Sequence, residues 1–187
     1  IVITLNDLAH RFAPGHRVRL AVSTTYWPMV WPSAHPVSLT LASGASRLTL
    51  PVRPLSLDNE AEPVFDPVEM APPGRTSTII PPDAARTIHR DLKSGRWREN
   101  LIEDHGRFRI HDIDLNVAHS THCEFEIVEN DPLTAEARWV WRSELERADW
   151  HVEIETTTRL RADASDFIID TDIDAREDGR SIFTRAW

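Results

Sequence analysis

In His119-Ser120-Thr121-His122-Cys123-Glu124 two imidazoles, a thiol and a carboxylate crowd together, the donor types that hold a transition metal or make a reactive cysteine. Their spacing argues against both. On a strand, positions i and i+3 point to opposite faces, so His119 and His122 converge only if the segment turns. Solvated loop histidines are the simpler reading. Cys123 alternates with Phe125 and Ile127, which marks a core thiol rather than a nucleophile. The acidic run Asp170, Asp172, Asp174, Glu177 and Asp178 suggests calcium, but Asp170 and Asp174 on a strand stand ~13 Å apart, too far for one ion. Nothing singles out a carboxylate pair for glycoside hydrolysis. There is no G-x-S-x-G elbow and no glycine-rich phosphate loop. The expectation is a chain with no catalytic residue, no metal site and no cofactor of its own.

The elements that carry these residues read as strands. Over residues 14–54, Val18, Leu20 and Val22 alternate with polar or small residues, Val37, Leu39 and Leu41 do so again, and Leu48, Leu50 and Val52 a third time, the period of half-buried strands. Ser43-Gly44-Ala45 reads as a tight reversal in which glycine takes positive φ. Between the first two runs lies Tyr26-Trp27-Pro28-Met29-Val30-Trp31-Pro32, whose two prolines suit neither a strand nor a helix interior. Tyr26, Trp27 and Trp31 are the candidate interface or substrate-cleft residues. Aromatics in such a loop either pack beneath their own sheet or cover a partner, and the sequence leaves both open.

Ahead of these runs, residues 1–5 read as a short strand, and Asn6-Asp7 as a cap for one turn carrying Leu8 and Phe12. Residues 55–82 hold six prolines among acidic and small residues and read as a crossover wrapping the domain, anchored by Val64, Phe65, Val68 and Met70. Further on, Lys93-Ser94-Gly95-Arg96, Asp104-His105-Gly106 and Asp178-Gly179 read as hairpin turns. Trp139 and Trp141 share one strand face. Trp150, Val152, Ile154, Thr156, Thr158 and Leu160 alternate with His151, Glu153, Glu155, Thr157, Arg159 and Arg161. Phe167, Ile169, Thr171 and Ile173 alternate with the aspartates. The sum is an all-β fold of about ten strands with little helix, a sandwich or barrel.

At 187 residues and 41% hydrophobic content one domain with one core is expected. A single cysteine leaves no intrachain disulfide. No apolar run reaches the ~20 residues a bilayer demands and no signal peptide is visible, so the chain is expected in the cytoplasm, off the membrane. The net charge of −9 is uneven: residues 1–57 carry five arginines and one acid, residues 58–187 sixteen basic and twenty-nine acidic side chains. An acidic surface argues against nucleic acid, whose phosphates call for Lys and Arg.

Pro14-Gly15-His16-Arg17-Val18-Arg19-Leu20-Ala21-Val22-Ser23 resembles the first long strand of the C-terminal, non-catalytic domain of X-Pro dipeptidyl-peptidases and cocaine-esterase-like acyl hydrolases. Asp131-Pro132-Leu133-Thr134-Ala135 and Arg147-Ala148-Asp149-Trp150 are similar to later motifs of that group, so the resemblance runs from about residue 3 to the end. It implies a jelly-roll β-sandwich of the galactose-binding type over residues 1–187, with 55–82 as a crossover within it. It also implies that the chain is a fragment of a longer protein, and that its partner is an α/β-hydrolase catalytic domain that holds the serine, aspartate and histidine upstream. His16 resembles the histidine that opens this strand in the family, a backbone-fixing rather than catalytic position. The competing expectation is a free-standing β-sandwich module for carbohydrate or protein, with Tyr26, Trp27 and Trp31 as a stacking platform.

Overall fold

The structure, a computed structural model, describes residues 2–52 and 64–187. It is all-β: one antiparallel sheet of eight strands, with a single 3-10 turn at His111–Ile113 as its helical element among the described residues. The strands are β1 (Thr76–Ile80), β2 (Asp83–Asp91), β3 (Arg96–Ile110), β4 (Leu115–Val128), β5 (Asp131–Arg147), β6 (Trp150–Ala162), β7 (Phe167–Glu177) and β8 (Arg180–Ala186). From β3 to β8 each strand pairs with the next in sequence, and β1 and β2 share the outer edge of β3 end to end.

The hairpin chemistry is local. Gly95 at φ +70°, with its N–H donating to the Asp91 carbonyl at 2.8 Å, closes β2 onto β3. Asp178 and Gly179, both at positive φ, close β7 onto β8 as expected, because two left-handed residues match the twist of the strands they join. The motif residues do similar work. Pro132 has no N–H for the ladder, and nearby the Thr134 hydroxyl accepts from the Val128 N–H at 2.8 Å and donates to the Asp131 carbonyl at 2.6 Å. Ala148, at φ +52°, turns β5 into β6.

Gly106 corrects an expectation. Asp104-His105-Gly106 is no hairpin turn, because β3 runs straight through it with a bulge between Asp104 and Arg107. A bulge and a hairpin ask for the same left-handed glycine, here at φ +71°. A Cβ on Gly106 would fall 2.2 Å from the Ile80 carbonyl oxygen, where β1 crosses to β2. That closeness lets the two short strands share one edge.

The register divides the sheet into unlike faces, since residues opposite one another point the same way. One row runs Leu101, Cys123, Trp139, Thr158, Thr171, and its face collects Trp97, Phe108, Phe125, Trp141, Leu145, Trp150, Val152, Ile154, Leu160, Phe167, Ile169 and Ile173. The reverse face carries Glu124, Glu126, Glu136, Arg138, Arg142, Glu155, Arg159, Arg161, Asp170 and Asp174. The alternation expected for 150–161 and 167–174 is the one observed.

The core is small. Cys123, Ala135, Ala137 and Thr121 are buried on the apolar face and Val140 on the other, while Trp141 and Phe167 stay 53% and 64% exposed. Trp139 packs edge-on to Phe125, but Trp141 and Trp150, expected inside, share their face without being covered. The accessible surface is 16007 Å², against about 9,000 Å² for a compact chain of this mass.

Among the described residues the strand count is eight rather than about ten. The three alternating runs at 18–22, 37–41 and 48–52 form no ladder, and neither do residues 2–5; Asn6-Asp7 opens no helical turn. Alternation encodes a face that wants covering, not the neighbour that supplies the hydrogen bonds. Ser43-Gly44-Ala45 does reverse the chain, through the N–H groups of Ala45 and Ser46 donating to the Ala42 carbonyl at 3.1 and 3.0 Å, with Gly15, Gly95, Gly106 and Gly179, not Gly44, at positive φ. Of the proline-rich stretch at 55–82, residues 55–63 lie outside the described residues, 64–75 carry no ladder, and 76–80 are β1.

Candidate interaction surface

The residues with reactive side chains are dispersed by the strand period. His119 and His122 lie on opposite faces of β4, because that segment is strand and does not turn. His119 stacks on His105, ring centroids 4.0 Å apart, and the Nε2 of His122 is buried without a hydrogen-bond partner. Among the described residues no three His, Cys, Asp or Glu side chains converge as metal ligands. Burial pushes the Cys123 thiol up from its ordinary value, with the Glu103 carboxylate adding to the effect. A thiol so held stays protonated at neutral pH and is a poor nucleophile.

Two carboxylates of the acidic run, Asp170 and Asp174, are engaged on β7. Asp170 takes Arg161. Asp174 accepts from the Ser181 hydroxyl and the Arg176 guanidinium, both at 2.8 Å, which together hold its carboxyl below the usual range. Across the same face Arg98 meets Glu126 at 2.6 Å, Arg142 meets Glu155 at 2.6 Å, Arg159 meets Glu136 at 3.0 Å and Arg138 meets Glu124 at 3.1 Å, and Arg96 also reaches Glu126. Each such half-exposed pair contributes only ~0–1 kcal/mol. Together they satisfy the charges of this face internally and keep it in water. Val140 is the apolar residue buried on this face.

The unsatisfied surface is apolar, and the aromatic turn sits at its corner. Val30 N–H donates to the Tyr26 carbonyl at 2.9 Å, closing the turn, and the Trp27–Pro28 peptide is cis. Trp27 and Trp31 meet edge to face at 5.0 Å. Trp27 then lies 6.2 Å from Phe125 and Trp31 5.9 Å from Phe167, again edge-on. The two indoles are thus half-buried on the chain's own sheet, while Tyr26 at 68% and Met29 at 75% stay exposed. Of the three candidates, the structure brings Trp27 and Trp31 together and leaves Tyr26 outside. The two indoles stand at 80° to one another rather than side by side in one plane.

Beneath the turn runs a groove of about 710 Å³ floored by Trp27, Ile88, Trp97, Phe125 and Ile127, with Tyr26 and Met29 on one lip. Sequence reasoning missed its far wall: Ile88 aligns with Phe125 across Glu99, and Trp97 lies opposite Ile127, which only the register of β2, β3 and β4 shows. His16, its N–H donating to the Ala13 carbonyl at 3.1 Å, belongs to the Pro14-Gly15 turn and lies exposed. No helix among the described residues is long and apolar enough to cross a membrane.

No curated protein and no solved structure matches the chain. A family model does: residues 1–86 match the X-Pro dipeptidyl-peptidase C-terminal non-catalytic domain. The matched stretch contains the Pro14-Gly15-His16 opening, the three alternating runs, the aromatic turn, β1 and the start of β2. The chain is thus similar to that domain over residues 1–86, a little under half of its length.

Proposed function

We propose that this chain serves as the accessory β domain of a serine hydrolase, and that its family-matched half docks on the α/β-hydrolase domain of the same protein and stabilises it. One observation carries the reading. In that half Val18, Leu20, Val22, Val37, Leu39 and Leu41 keep the strand period yet are all exposed, and apolar stripes of this kind are stable only against a covering surface. Tyr26 and Met29, turned outward by a turn that Trp27 and Trp31 pin to the sheet, are the side chains proposed to reach that domain or border its cleft. The whole of 1–187 then acts as one accessory unit, with the stretch around 55–82 leading from the docking half to the sheet.

The test is a pair of substitutions in two settings. Leu20→Asp with Leu39→Asp should lower the thermal midpoint and the esterase or dipeptidyl-peptidase activity of the whole protein. In the isolated chain, where both leucines already face water, the same changes should stay within about 0.5 kcal/mol. Unchanged activity and midpoint in the whole protein would overturn the reading.

A further inference from the structure

At the end of the apolar face away from the aromatic turn, one row crosses the sheet without a break in register. Thr78, Phe108, Val117, Leu145, Val152 and Glu177 lie opposite one another from β1 to β7. Beside it Trp150 stands opposite Arg147, and both stay open, as does Phe183 on β8. The Trp27–Trp31 turn covers only the far corner, by Phe125 and Phe167.

The segment leading into β1 has the chemistry to cover that row. Val64, Phe65, Val68 and Met70 stand 82 to 98% exposed. Pro67, Pro72 and Pro73 favour extended polyproline-type backbone for themselves and for the residues before them. With three residues per turn, Val64, Pro67 and Met70 share one edge, Phe65, Val68 and Ala71 a second, and Asp66, Glu69 and Pro72 a third. Two edges are apolar and the acids are gathered on the remaining one. A strand period would instead put Asp66 among Val64, Val68 and Met70.

One end of the segment is fixed beside this row. The Arg75 carbonyl accepts from the His111 N–H at 2.9 Å, and its guanidinium pairs with Asp112 at 2.9 Å. At ~3.1 Å per residue, Met70 and Glu69 can reach ~15–19 Å from Arg75. Strands β5 and β6 lie three and four spacings from β1, ~14–19 Å away, so Glu69 arrives beside the exposed Arg147, with Met70 and Val68 over Leu145 and Trp150. Asp66, ~28 Å from Arg75, arrives at β8, where the exposed Arg180 stands opposite Glu177.

We infer that residues 64–73 close over this row as a polyproline-type strap, its two apolar edges on the sheet and its acidic edge outward, where the long side chains of Arg147 and Arg180 reach it. The strap lies within the family-matched residues 1–86 and most of its seat beyond them, so its closure ties the two parts of the chain together. Strap and seat both belong to this chain, and the inference does not rest on docking to a hydrolase domain.

Digestion of the whole protein that carries the chain with a glutamyl endopeptidase tests this, because the Glu69–Met70 bond is open to cleavage only when the strap is off the sheet. The bond should resist in the unsubstituted protein. Phe65→Ser with Val68→Ser should speed its cleavage about tenfold by raising the open population. On the seat, Arg147→Glu and, separately, Trp150→Ser should speed it as well, with the far-UV spectrum unchanged. Glu153→Lys, on the charged face, should leave the rate as it was. Cleavage of the unsubstituted protein as fast as that of the strap variant overturns the proposal. Resistance that survives both seat substitutions overturns it too, because something other than this row then covers the segment.

Discussion

Cys123 shows how a residue that looks chemical becomes structural. It follows two imidazoles in sequence, but the strand sends His122 to the other face and leaves the thiol buried opposite Leu101 and Trp139. Its raised pKa, from burial first and Glu103 second, sets a sign. In the unfolded chain the thiol ionises near its ordinary value, ~8.5, so folding stability from this group is present below that pH and is lost as pH rises above it. At pH 8 Cys123 should therefore react with Ellman's reagent far more slowly in the native chain than in urea. Equal rates would show that the site is open. The alternation with Phe125 and Ile127 made this burial legible in the sequence. The stacking of His119 on His105 was not, because it depends on the bulge at Gly106, whose glycine looks the same in a bulge as in a hairpin turn.

At the scale of elements, the sheet was the more readable half and the first fifty residues the less. Residues 150–161 and 167–174 alternate strictly, and a period of two leaves only one assignment of faces once the Asp178-Gly179 turn sets the register. The runs at 18–22 and 37–41 alternate as well, but the partners that would turn them into ladder strands are not among the elements described, and a sequence names no partner. The aromatic turn illustrates the same limit. Proline and tryptophan announced a stiff apolar loop; whether it faced inward depended on Phe125 and Phe167, about a hundred residues or more away. Since both indoles lie edge-on to those rings, Trp27→Ala with Trp31→Ala should cost the chain itself roughly 3 kcal/mol in a urea titration, the scale for half-buried aromatics and their ring contacts. A loss below about 0.5 kcal/mol would mean that the turn serves a partner and not its own sheet.

For the whole molecule, one face of the sheet is saturated with ion pairs and stays in water, while the other face and the N-terminal runs are apolar and open. We propose that the hydrolase domain covers the family-matched runs and gives them their order, and hydrogen exchange reads that directly. Amides at 17–23 and 37–42 should exchange at nearly free-chain rates in the isolated chain and become strongly protected in the whole protein, while those of β4 to β6 are protected in both. Equal exchange of the two N-terminal runs in both settings, whether fast or slow, would contradict the claim.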